Sequence, residues 1–177
     1  MQRLFVDMDG VIAKWQAASK FEDLLSWGYF GNLPPCQNII DGIKVTMQTH
    51  PKLGVYVLSA YLEESEFALM EKNAWLDTYM PEIDKEHRLF VPGSQNKAEF
   101  VKKHFQSEVS KEDYLLDDYS LNLHIWRRAG GTGIKLYNGI NGTQGTWNGD
   151  FVIGTESSEV VFSGIETILC RDFLAAS

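Results

Sequence analysis

At 177 residues and 20.1 kDa the chain is long enough for one well-buried domain with a small insertion, and too short for two full domains. Its 44% hydrophobic and 23% charged residues match ordinary globular domains, which excludes a disordered chain, and no apolar run approaches the roughly 18 residues of a membrane-spanning helix. Sixteen Lys plus Arg against twenty-four Asp plus Glu leave a net charge of -8, the wrong sign for a nucleic acid polymer as partner. A small phosphate ester is still compatible with that charge if a metal and local cations neutralise it.

In chain order, Leu4–Val6 is a short apolar run that suits a buried strand of a parallel sheet. It stops at Asp7 and Asp9, two residues apart, where extended geometry sends both carboxylates the same way. Gly10 then allows a sharp turn and a close approach to a ligand. Ligands of open α/β sheets bind at the carboxyl ends of strands, so this stretch marks a site, unless it is a plain Asp-Gly turn. Met1 leads into the strand with no positively charged and apolar leader, which makes the cytoplasm the expected compartment. Cys36 and Cys170 lie far apart and outside C-x-x-C spacing, so they read as unpaired thiols and not as a disulfide framework or a zinc site. The sequon Asn141-Gly-Thr143 has no consequence in a chain that is not secreted.

Lys14 to Trp27 carries Trp15, Ala18, Phe21, Leu24 and Leu25 at helical spacing and predicts a helix, broken by Gly28 and Gly31. The stretch Trp27 to Pro35 is a loop whose rings, Trp27, Tyr29 and Phe30, either fill the core or face a site. Helical periodicity returns over Gln37–Thr49 through Ile39, Ile40, Ile43 and Met47, and Pro51 ends it. This is more than one crossover needs, so residues 14–50 are expected to form a small helical cap over the site. Leu53–Leu58 is a second buried strand with Ser59 and Ala60 at its carboxyl end. Glu64–Tyr79 reads as a helix that turns Phe67, Met70, Ala74 and Trp75 inward.

Leu89–Val91 is a short strand, Lys97 opens a helix, and Tyr114–Leu116 is a strand running into Asp117 and Asp118. A helix over Leu121–Arg128 and a strand over Ile134–Tyr137 follow, and the alternation predicts a parallel sheet with helices on both faces. Beyond Tyr137 the pairs Asn138-Gly, Asn141-Gly and Asn148-Gly are turn signals. Phe151–Ile153 and Val160–Phe162 read as short strands, a hairpin or an edge addition, and Ile165–Leu174 as a closing helix.

Successive strand ends therefore carry Asp7 with Asp9, then Ser59, then the loop leading to Lys97, then Asp117 with Asp118. Singly, each has a bland reading as a turn, a cap or a solvated helix start. Together they supply a nucleophile, a cation for phosphoryl oxygens and a proton donor for a leaving oxygen. Carboxylates so crowded repel unless a hard cation sits among them, which implies bound Mg²⁺. In this order the motifs resemble the haloacid dehalogenase-like phosphatase superfamily: Asp7-Met-Asp-Gly-Val11 its first motif, Ser59 its second, Lys97 its third and Leu115-Leu-Asp-Asp118 its fourth. The D-M-D-G-V wording, the insertion after the first strand and the segment Gly28-Tyr-Phe-x-x-Leu-x-Pro35 look most like the 5′(3′)-deoxyribonucleotidase branch. The tail after Tyr137 departs from that pattern.

The resemblance implies a Rossmann-like three-layer sandwich over residues 1–177, with a mostly parallel central sheet and the cap inserted after the first strand. Asp7 would be the nucleophile that forms an aspartyl-phosphate, and Asp9 the general acid and base. Ser59, Ala60 and Lys97 would hold the phosphate. Asp7, the Asp9 main-chain carbonyl, Asp117 and Asp118 would hold Mg²⁺, with Asp118 favoured over Asp117 for direct contact. Trp27, Tyr29 and Phe30 would stack on a base, making a (deoxy)nucleoside monophosphate the expected substrate. The alternatives are a phosphatase for a sugar phosphate or other small metabolite, and a phospho-accepting signalling domain, in which Asp9 would have no use. A homodimer is compatible with each.

Overall fold

The computed structural model describes residues 1–140 and 145–171. Among them six strands form one sheet: β1 (Arg3–Val6), β2 (Gly54–Tyr61), β3 (Arg88–Pro92), β4 (Asp113–Asp117), β5 (Thr132–Tyr137) and β6 (Asp150–Ile153). Their order is β3-β2-β1-β4-β5-β6 and every neighbouring pair is parallel. The direction of winding reverses between β1 and β4, where a doubly wound sheet opens a crevice at its carboxyl edge. Asp7 follows β1, and Asp117 ends β4 beside it.

Alternation along the strands builds the layers. Leu4, Val6, Val55, Val57, Tyr114 and Leu116 face one layer, formed by α2 (Gln37–Thr49), α3 (Ala68–Tyr79) and α6 (Ser158–Leu169). Phe5, Leu58 and Leu115 face the other, formed by α4 (Lys97–Phe105) and α5 (Ser120–Arg128). The fold is thus the expected α/β three-layer sandwich. In α2, Gly42 brings α6 close: a Cβ there would stand 2.8 Å from a Val161 methyl and 3.1 Å from the Ser158 carbonyl.

Several local expectations do not hold. Lys14–Trp27 is not one helix; only a single turn, α1 (Phe21–Leu24), forms. The Lys14 N–H is committed to the Pro34 carbonyl (2.8 Å) and Cys36 N–H to Ile12 (2.8 Å), which pinches the base of the insertion instead of starting a helix. Of the residues expected to form a cap, 14–50, α2 lies in the sheet-covering layer against α6, and Phe30 and Leu33 pack into the same core. Helix α3 starts later than expected, at Ala68, because Ser65 Oγ accepts from the Phe67 and Ala68 N–H groups (3.4 and 3.2 Å). Its buried stripe is Ala68, Glu71, Lys72, Trp75 and Leu76, while Met70 and Ala74, expected inside, are exposed.

Val160–Phe162 is no strand but part of α6. Val161, Ile165, Ile168 and Leu169 recur at helical spacing and bury together, which overrides the β preference of two valines and a phenylalanine. β6 is the edge addition, parallel to β5. The sequon and the Asn141-Gly turn lie outside the described residues, as do the last three residues of the expected closing helix.

Candidate active site

The crevice at the switch point holds three linked groups of charge. Asp7, Asp117 and Asp118 place carboxylate oxygens within 4.8 Å of one another, and all three are buried. Lys97, at the first turn of α4, spans the cluster: its Nζ donates to Asp117 Oδ2 (2.7 Å) and lies 2.9 Å from Asp7 Oδ1. Asp117 is further held by the Tyr119 N–H (2.7 Å) and Asn122 Nδ2 (2.9 Å), so its oxygens are largely committed. Asn138, at the end of β5, donates to both Asp118 Oδ2 (2.9 Å) and the Gly10 carbonyl (2.6 Å), joining the two acidic loops. Gly10 has φ +84, and a Cβ there would collide with the Asp118 carboxylate, so only glycine lets the loops meet.

Burial pushes the Asp7 carboxyl up to about 7 against the pull of Lys97, with Asp117, Asp118 and Asp9 adding to the rise. Burial and Asp117 likewise raise Asp118 to about 6, opposed by Asn138, Lys97 and Lys135. Burial alone would lower the Lys97 ammonium, but Asp117 and Asp7 beside it win and raise it. The cluster therefore carries more negative charge than its buried lysine offsets. An all-oxygen donor set with excess negative charge fits a hard divalent cation such as Mg²⁺.

The second group centres on Lys72, fully buried on α3, whose ammonium pairs with Asp9 Oδ2 and donates to Ser59 Oγ (3.0 Å). It also lies 4.7 Å from the Phe30 ring centroid, a cation–π contact. Asp9 Oδ1 is buried with no hydrogen-bond partner among the described residues. Ser59 and Ala60 are not beyond the strand but within β2, opposite Phe90 and Val91.

The third group holds the loop of residues 28–33. The Glu71 carboxylate accepts the N–H groups of Gly28, Phe30 (3.0 Å) and Gly31 (3.1 Å), and Trp75 Nε1 donates to the Leu33 carbonyl (2.7 Å). Of the three rings expected to stack on a base, Phe30 is 4% exposed and belongs to the core, so it has no free face to offer. Tyr29 is half-buried, donates its hydroxyl to the Gln16 carbonyl and meets Phe30 edge-on at 5.0 Å. Burial raises the Tyr29 hydroxyl, and Asp9 and Asp23 add to the rise. Trp27 is 66% exposed, edge-on to Phe67.

The structure thus gathers Asp7, Asp9, Ser59, Lys97, Asp117 and Asp118 at one sheet edge. Lys72, Glu71, Asn122 and Asn138 lie outside the expected set. Glu71 and Lys72 do leave a sequence signal: with Ala68, Trp75 and Leu76 they sit at i, i+3, i+4, i+7 and i+8, so two charges interrupt an otherwise apolar stripe.

No family model matches the chain, and no curated protein matches it either. Solved structures do. D,D-heptose 1,7-bisphosphate phosphatase from B. bronchiseptica, complexed with magnesium and phosphate, superposes with a TM-score of 0.63 at 10% identity, over 94% of this chain and 99% of that one. The D,D-heptose 1,7-bisphosphate phosphatase from Burkholderia thailandensis gives 0.58 at 11% identity, over 95% and 99%. At this identity the likeness is one of fold, and it runs over nearly all of both chains.

Proposed function

We propose that the chain is a cytoplasmic, Mg²⁺-dependent phosphomonoesterase of haloacid dehalogenase-like type, acting on a small phosphate ester, with a sugar phosphate as the favoured class. The observation that carries this is the convergence of Asp7, Asp9, Ser59, Lys72, Lys97, Asp117 and Asp118 on one crevice at the switch point. Two fold neighbours that act on a sugar bisphosphate, one with magnesium and phosphate bound, support it.

Asp7, Asp118 and the Asp9 main-chain carbonyl would hold Mg²⁺, with Asp117 behind them. When bound, the ion offsets charge on the carboxylates and on the phosphoryl oxygens. An Asp7 oxygen attacks phosphorus, the ester P–O bond breaks, and Asp9 gives its proton to the leaving alkoxide. Asp9 then takes a proton from a water molecule that attacks the aspartyl-phosphate, releasing inorganic phosphate and restoring Asp7. Lys72, paired to both Asp9 and Ser59, and Ser59 itself meet the phosphoryl oxygens; drawing the ammonium onto the phosphate frees the Asp9 carboxyl to carry its proton. Lys97 stays between Asp7 and Asp117 and orients both.

A nucleoside monophosphate is the second reading. It rests on Tyr29, a half-buried ring close enough to Asp9 to feel its charge. The burial of Phe30 removes one of the three rings that favour a base.

Beryllium fluoride with Mg²⁺ tests the chemistry directly. A stable adduct on Asp7, absent from Asp7→Asn, is expected; an adduct on any other residue overturns the assignment of the nucleophile.

A further inference from the structure

A second cluster of side chains carrying metal-ligand atoms lies at the opposite edge of the sheet and takes no part in the chemistry above. His50, Glu166 and Cys170 each offer a ligand atom, and these atoms lie within 4.8 Å of one another. His50 Nε2 is 2.5 Å from Glu166 Oε2, and Cys170 Sγ is 3.2 Å from Glu166 Oε1. His50 follows α2 and leads toward Gly54, which pairs with Arg3 at the start of β1, whereas Asp7 follows the end of that strand. The two clusters are thus separated by the length of the sheet.

We propose that His50, Glu166 and Cys170 form a zinc-type site that clips α2 to α6. The donor set, one imidazole, one carboxylate and one thiolate, suits a borderline-soft divalent cation and not Mg²⁺. Zn–N and Zn–O bonds of about 2.0 Å and a Zn–S bond of about 2.3 Å set tetrahedral ligands roughly 3.3 to 3.5 Å apart. The His50 and Glu166 side chains are 25% and 30% exposed, so their spreading to these distances runs into solvent, and water would fill the fourth position.

A second feature points the same way. His50 caps the carboxyl end of α2 (N–H to Thr46 carbonyl, 2.9 Å) and Cys170 caps that of α6 (N–H to Glu166 carbonyl, 3.0 Å). Two packed helices therefore direct their negative ends at the same spot, which favours a cation. The spacing rule that reads Cys170 as a bare thiol sees only ligands near in sequence. Here the imidazole comes from a residue 120 positions away, brought in by the packing of α2 on α6.

Titration with Co²⁺, in Mg²⁺ sufficient to fill the acidic cluster, reads the site through its thiolate-to-cobalt charge-transfer absorption. One equivalent of Co²⁺ should bring up the band and Zn²⁺ should bleach it. Cys170→Ser should abolish the band, His50→Ala should weaken binding by roughly tenfold or more, and Cys36→Ser should leave it unchanged. Zn²⁺ should also raise the melting temperature of the wild type and not of Cys170→Ser. A wild-type protein with no band, a band that persists in Cys170→Ser, or one lost in Cys36→Ser overturns the proposal. None of these outcomes depends on phosphatase activity.

Discussion

Asp9 and Lys72 touch each other yet are assigned different halves of the reaction, so substitutions should separate them. Asp9→Asn removes the proton for the leaving group and should cost on the order of 10² to 10⁴ in rate on an alkyl phosphate. It should cost far less on p-nitrophenyl phosphate, whose leaving group needs little help. Lys72→Met removes a charge from the phosphoryl oxygens, which both substrates share. It should lower kcat/KM by on the order of 10² to 10³ on each alike. Steady-state kinetics of the two variants on the two esters decide this, and equal losses for Asp9→Asn would refute its proton-transfer role. Phe30, whose ring covers Lys72, belongs with this pair as packing and not as a stacking surface.

At the level of elements, α3 fixes the loop after α1 through one buried carboxylate. Glu71→Gln puts an amide where three N–H groups converge, which should cost about 2 kcal/mol. It should also speed hydrogen exchange at the Phe30 and Gly31 amides while those of β1 stay protected. Unchanged exchange at both amides would show that the loop holds itself. What the sequence made legible follows from how the elements are stabilised. Strands buried on both faces announce themselves as apolar runs, so β1 to β5 and their polar ends are readable, and with them Asp7, Asp9, Ser59, Lys97, Asp117 and Asp118. The insertion after β1 is not, because its shape depends on contacts made from elsewhere: Pro34 taking the Lys14 N–H, Glu71 taking the loop amides. Lys72 is legible only in part: it shows as a charge in an apolar stripe, but its partners, Asp9 and Ser59, are set by the fold. Val160–Phe162 misleads because β-branched residues serve a buried helix face as well as a strand.

For the whole molecule, the acidic cluster makes stability depend on pH and on metal together. The folded Asp7 carboxyl, at about 7, lies above its ordinary 3.8, and Asp118, at about 6, is displaced the same way. The folded protein then holds protons that the unfolded chain has released, so these groups favour the fold below about pH 4 and lose that contribution as pH rises toward 7. In EDTA, Asp7→Asn should therefore gain melting temperature relative to wild type between pH 5 and pH 8. Mg²⁺ should stabilise the wild type more at pH 8 than at pH 5, because protons compete for the same oxygens. A wild-type and Asp7→Asn difference that does not change with pH would contradict that assignment of charge.

On the function proposed above, the crevice at the switch point is a Mg²⁺-dependent phosphatase site with Asp7 as nucleophile. Phosphate release from a panel of sugar phosphates and nucleoside monophosphates, in Mg²⁺ and in EDTA, with wild type and Asp7→Asn side by side, tests it most directly. Release should require Mg²⁺, fall by on the order of 10⁴ or more in Asp7→Asn, and be fastest in kcat/KM on sugar phosphates. Release that persists in EDTA and in Asp7→Asn, or none from any ester of the panel, would contradict it.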